Sequence, residues 1–243
     1  MIRWPLPLLL LAAAGLALQA RPADWAAPLL TVLPLPPPRP LALDAPLPAA
    51  RDPELFHQLE AGDRAWRPRL ERLPGGGTRY LYKRRSGDPP LSIAQIQALI
   101  RNPPDHGPER RSIAMLLAAL RRAGALVALG PPRQSGAAGE WEPRRMVLRI
   151  RPDVPSKGSR EFLRVLNHEA IHVAQSCRRG RIDAMPMLLG LPRRLDSRQR
   201  ASLAEPLYAA ASPQERLLEE EAYANQEQIN LGWQLLQAHC RAR

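Results

Sequence analysis

The stretch Leu166-Asn167-His168-Glu169-Ala170-Ile171-His172-Val173-Ala174-Gln175 contains H-E-x-x-H, and its spacing has a physical meaning. Histidines at i and i+4 lie one turn apart on the same face of a helix, so both imidazoles can reach one metal ion. Glu169, directly after the first histidine, then sits beside the metal rather than on it. A general base must stand there to take a proton from a water that attacks a carbonyl. The flanking residues suit a helix. Ser159 is placed to cap it, Glu161 falls in its first turn, and Phe162, Val165, Leu166, Ala170, Val173 and Ala174 recur at helical spacing. The pattern predicts a zinc site on His168 and His172 with Glu169 as the catalytic base.

The compartment follows from the start of the chain. Arg3 precedes an apolar run from Leu6 to Leu18, and Leu18-Gln19-Ala20 resembles a small-residue cleavage site. Residues 1–20 therefore read as a signal peptide or an N-terminal anchor, and the rest is expected to be exported: periplasmic, lumenal or extracellular, with a possible membrane tether through 1–20. No cysteine follows the apolar run, so a lipid anchor is not expected there. In an oxidising space the two cysteines, Cys177 and Cys240, are most simply a disulfide. Closing a loop of about sixty residues would add roughly 4 kcal/mol on the chain-entropy model.

A formal charge of +12 suggests nucleic acid or an anionic surface. However, of 35 basic residues all but Lys83 and Lys157 are arginine, spread along the chain, with four tyrosines, two phenylalanines and no basic–aromatic cluster in the sequence. That pattern reads as compositional bias, and no nucleic acid is expected as partner.

Residues 21–77 read as a proline-rich linker and poorly ordered region, with a short helix around Glu54–Glu60, and 78–243 as the folded domain. Within it, 79–84 alternates like an exposed-edge strand, and helices are expected at Ser92–Arg101 and Pro108–Ala123, the second ended by Gly124. Strands are expected at Ala125–Leu129 and Arg145–Ile150, joined by a Gly/Pro-rich loop; the second precedes the histidine helix and would offer its edge to an extended peptide. Arg178–Arg194 reads as loop, its Met185–Leu189 patch packed under it. Ser197–Tyr208 reads as a helix interrupted at Pro206, and Ser212-Pro213-Gln214-Glu215 starts a last helix running to about His239.

Two histidines and water leave zinc short of one protein ligand. The candidates lie in Leu217-Leu218-Glu219-Glu220-Glu221-Ala222-Tyr223-Ala224-Asn225-Gln226. Here the chain resembles the gluzincins, whose third ligand is a glutamate on a later helix. It looks most like small exported bacterial metallopeptidases of the cyanobacterial type. His168, Glu169, His172 and Gln175 match their H-E-x-x-H-x-x-Q; Glu219, Glu221, Ala222 and Tyr223 match their E-x-E-A-Y. The resemblance covers roughly residues 145–240. By the related E-x-x-A pattern the ligand is Glu219; Glu221, with its own alanine three residues on and nearer the apolar stripe, is the alternative.

The resemblance and the motif together imply an α+β fold: a compact zincin-like domain with a small sheet, an H-E-x-x-H helix, and a C-terminal helix carrying the third ligand. The expected function is an exported zinc-dependent peptidase acting on peptide or protein substrates, with Tyr208, Tyr223 and His239 as candidates to stabilise the oxyanion. The alternative is a non-catalytic exported zinc-binding or basic interaction domain.

Overall fold

The structure, a computed structural model, describes residues 45–84 and 88–240. The expected signal and the first part of the linker lie outside the described residues. Among these no helix is long and apolar enough to cross a membrane.

The fold is α+β. β1 (Ala45–Pro46) and a 3-10 turn lead into α1 (Asp52–Ala65); β2 (Arg69–Arg72) and β3 (Thr78–Leu81) form a separate antiparallel hairpin. α2 (Ile93–Arg101) and α3 (Gly107–Ala123) follow, then β4 (Leu126–Leu129), β5 (Gly139–Glu142) and β6 (Val147–Ile150). The main sheet has the order β1-β4-β6-β5, with β4 and β6 parallel and the outer pairs antiparallel. The helices α4 (Ser159–Cys177), α5 (Ser197–Leu203), α6 (Pro213–Asn225) and α7 (Leu231–His239) complete the chain.

The helix starts are written locally. Ser92, Asp196 and Ser212 each close a capping box with a Gln or Glu three residues on, and Gly124 ends α3 at φ 92°, a conformation that favours glycine. α4 differs from the reading. Its N-cap is Gly158, and Ser159 instead gives both its N–H and its hydroxyl to Asp63 on α1, each at 2.7 Å. That carboxylate also complements the positive end of the α4 dipole.

The folded region starts well before residue 78. Leu55 and Leu59 of α1 are fully buried, Leu47 nearly so, and all three belong to the main core. Asp52 grips Arg121 of α3 through both carboxylate oxygens, at 2.6 and 2.8 Å. Pro48 and Pro53 made this stretch look like linker, yet both stand at helix starts, where the missing N–H costs nothing.

Three further elements depart from expectation. The Gly/Pro-rich loop contains β5, which takes the sheet edge, while β6 is flanked on both sides and has no free edge. Glycine and two glutamates hide this strand from pattern reading; its Glu140 and Glu142 meet Arg149 of β6 instead. The last helix is broken into α6 and α7 at Gln226–Asn230, with Asn230 left-handed at φ 69°. Asn167 of α4 holds that break: its amide donates to the carbonyls of Gln226 and Gln228, and its oxygen accepts from Gly232 N–H at 2.7 Å.

α4 is buried almost all round, from Phe162 and Leu163 through Val165 to Cys177. A helix with that profile runs through the core, so each of its polar side chains must find a partner there. Asn167 fixes the α6–α7 break, and Ser176 accepts from Trp141 Nε1 at 3.0 Å. The remaining four polar side chains, His168, Glu169, His172 and Gln175, make the site. The helix is closed by the Cys177–Cys240 disulfide. Because the last helix is broken, this bridge ties α4 to α7 rather than to the helix that carries Glu219.

Candidate metal centre

His168 and His172 come from successive turns of α4, and Glu219 from the middle of α6 packed across it. Their ligand atoms converge. His168 Nε2 stands 3.2 Å from His172 Nε2 and 3.2 Å from Glu219 Oε2, and His172 Nε2 stands 3.4 Å from Glu219 Oε1. Tetrahedral ligands about 2.05 Å from an ion lie about 3.3 Å apart, so the three atoms fit around one small cation. This group could hold a metal ion.

The far side of each imidazole is fixed as well. His172 Nδ1 meets Gln175 Oε1 at 2.7 Å, and His168 Nδ1 meets Gln226 Oε1 at 3.0 Å. Each Nδ1 meets an amide oxygen and so donates to it, which makes Nε2 the nitrogen of each ring that faces the centre. Gln226 was missed by the sequence reading. It lies seven residues after Glu219, two turns on, so the signal was its sharing a face with the candidate ligand.

The alternative glutamate does something else. Glu221 is completely buried and is not one of the converging ligands; it accepts from the N–H groups of Leu189, Gly190 and Leu191, and from Gln175 Nε2. Glu220 is near the surface, 4.0 Å from Arg193.

The electrostatics of the metal-free group follow from three acceptors meeting. Burial disfavours the charged form of His172, but Glu219, a hydrogen bond to it and nearby Glu169 outweigh that and raise its pKa to about 9. Glu219 feels the converse. Burial acts to raise it, yet His172 and His168 hold it well below the usual carboxylate range. A proton thus occupies the place suited to a cation.

Glu169 stands beside this group. The residue is largely buried, with its side chain lining two cavities. Burial pushes its pKa up, partly offset by the two histidines. Its carboxylate opens on these two cavities, and a carboxylate with a raised pKa in a cleft is a candidate for acid–base work. Tyr208 completes the surroundings: its hydroxyl donates to Glu219 Oε2 at 3.3 Å and lies 2.9 Å from the Tyr223 hydroxyl. Burial and then Glu219 raise the Tyr208 pKa, so the phenol keeps its proton. The Tyr223 ring meets the His168 ring edge-on at 4.7 Å between centroids. His239 lies at the end of α7 and lines neither cavity of the site.

Two cavities open at Glu169 and His168. One is a cleft of about 810 Å³ running past His172 and Glu219 along β5. Met185–Leu188 also line it, with Met185 well exposed, so this apolar patch faces the cleft instead of packing beneath its loop. The other, of about 170 Å³, lies toward Arg164 and Tyr223. β5 borders both. Arg151 N–H donates to Ala138 O, so in the antiparallel register Glu140 and Glu142 also turn their backbone groups to β6. Gly139 and Trp141 turn theirs outward, to the open edge.

The chain matches no protein-family model, no curated protein sequence and no solved structure.

Proposed function

We propose that this protein is an exported zinc-dependent peptidase in which His168, His172 and Glu219 hold the metal and Glu169 is the general base. The observation that carries the reading is the Glu169 carboxylate, on a largely buried residue but opening on both cavities, beside three converging ligand atoms. Two imidazole nitrogens and one carboxylate oxygen are the donor set of catalytic zinc, with a fourth position left open. Zinc bound there would acidify a water molecule and polarise a carbonyl. Glu169, its pKa raised by burial, takes the proton from the attacking water and returns it to the leaving amine. Tyr208, held protonated and beside Glu219, is the candidate donor to the developing oxyanion. The outward backbone groups of Gly139 and Trp141 pair with an extended substrate as an added strand, and the Met185–Leu188 wall takes its apolar side chains.

The disulfide accords with a protein that works in an oxidising compartment outside the cytoplasm. A non-catalytic metal-binding domain would not need a carboxylate beside the ligands that faces the cleft without touching them. The deciding experiment is elemental analysis of the purified protein together with cleavage of an unfolded protein with and without chelator. Glu169→Gln, nearly isosteric and off the metal, should keep stoichiometric zinc and lose hydrolysis by several orders of magnitude. Undiminished turnover in the zinc-loaded variant would exclude this mechanism.

A further inference from the structure

We propose that Glu221 is a positioning residue that fixes, through Gln175, which nitrogen of His172 faces the metal, and that the same carboxylate sets the apolar wall of the cleft. The proposal rests on the metal-site reading above.

Glu221 has four donors around it. Leu189 N–H and Gln175 Nε2 give to Oε2 at 2.8 and 2.9 Å; Gly190 and Leu191 N–H give to Oε1 at 2.7 Å each. Gly190 adopts φ 90°, which L side chains rarely do, and this turns three successive amides onto one carboxylate. A carboxylate so surrounded is an acceptor on every side. It therefore decides the orientation of the Gln175 amide, whose nitrogen must face Glu221 and whose oxygen must face His172. That oxygen, 2.7 Å from His172 Nδ1, requires a proton on Nδ1. Nε2 is then the nitrogen turned to Glu219 and His168. The order at the metal is thus set two hydrogen bonds away, by a residue on another helix.

The same carboxylate anchors the wall. Leu189–Leu191 directly follow Met185–Leu188, and Met187 N–H also bonds the backbone carbonyl of Gln175 at 3.0 Å. Gln175 and Glu221 therefore clamp this segment from α4 and α6 together. A peptide side chain seated on Met187 or Leu188 presses on the clamp that orients His172. By reciprocity, whatever loosens the clamp weakens both the wall and the metal.

Glu221→Gln replaces an all-acceptor group with one that has a single acceptor and two N–H donors, so one end must confront N–H groups. Hydrogen exchange is read by NMR in the full chain, with and without Zn2+, and Zn2+ affinity by competition with a chromogenic chelator. The expected result is at least tenfold faster exchange of the Leu189–Leu191 amides and of His172 Nδ1–H, with Zn2+ bound about 10–100-fold more weakly. Gln175→Leu should reproduce the His172 and Zn2+ effects while leaving the three loop amides protected. A Glu221→Gln protein with a loosened loop but unchanged His172 exchange and Zn2+ affinity overturns the proposal. If that variant does not fold, Gln175→Leu decides alone: wild-type His172 exchange and Zn2+ affinity overturn it. A wild type that binds no Zn2+ defeats the metal reading instead, and the metal-free exchange of His172 Nδ1–H still decides the relay.

Discussion

Gly139 lies against Glu169 so closely that a Cβ on the glycine would come within 2.6 Å of the carboxylate Oε1 and 2.7 Å of its Cγ. The edge strand and the proposed base are in contact only because residue 139 has no side chain.

Gly139→Ala should therefore displace β5 or push Glu169 aside, since Val165 Cγ1, at 2.9 Å from the added carbon, closes the other direction. Overpacking of this kind costs about 1–3 kcal/mol. The expected outcome is a modest fall in melting temperature, metal content retained, and peptide hydrolysis lowered about a hundredfold. Full activity in a metal-loaded Gly139→Ala protein would mean the base tolerates displacement.

Metal binding should release protons. With His172 at about 9 when metal-free, an incoming ion at pH 7–8 displaces about one proton, and affinity should rise about tenfold per pH unit until pH 9. Isothermal titration in buffers of different ionisation enthalpy counts that proton. The metal-free protein should show the linked stability effect. The raised His172 stabilises fully below its unfolded value of 6.5 and stops doing so as pH climbs through about 9. The depressed Glu219 stabilises above its unfolded value of 4.5, and that is lost as pH falls through its lowered pKa. Melting curves in chelator should thus decline above neutrality, and added metal should remove the decline.

Glu219→Ala leaves two histidines for the metal and should reduce affinity at least a thousandfold, the loss expected of a direct ligand rather than the 10–100-fold typical of an outer partner. Chelator competition measures it. Equal metal affinity in Glu219→Ala and the wild type would place the ion elsewhere.

Cys177→Ser and Cys240→Ser should lower the melting temperature alike, and the double variant no further. Loop closure across 63 residues is worth roughly 4 kcal/mol, or about 10 °C for a domain of this size. Because the bridge joins α4 to α7, the loss should appear as earlier exchange of α7 amides. Unequal shifts for the two single variants would show that one thiol has a role of its own.

Features that depend on neighbouring residues could be read from the chain. The capping boxes at Ser92 and Ser212, the glycine stop at Gly124 and the i, i+4 histidines all follow from helix geometry at fixed offsets. The pairing of Cys177 with Cys240 needed only that there be two cysteines and an expected export to an oxidising space. Glu219 and Glu221 could not be separated that way. Two residues apart they face nearly opposite directions, and which one meets His168, 51 residues before Glu219, is set by how α6 lies on α4. The same holds for β5. It is a strand because β6 pairs with it, and Gly-Glu-Trp-Glu has little strand character of its own. Asn167 is the clearest case, since its side chain breaks a helix 59 residues away that local propensity would have continued to His239. Spacing along the chain records which groups can share a face, and only the packing of that face against another decides what each group does there.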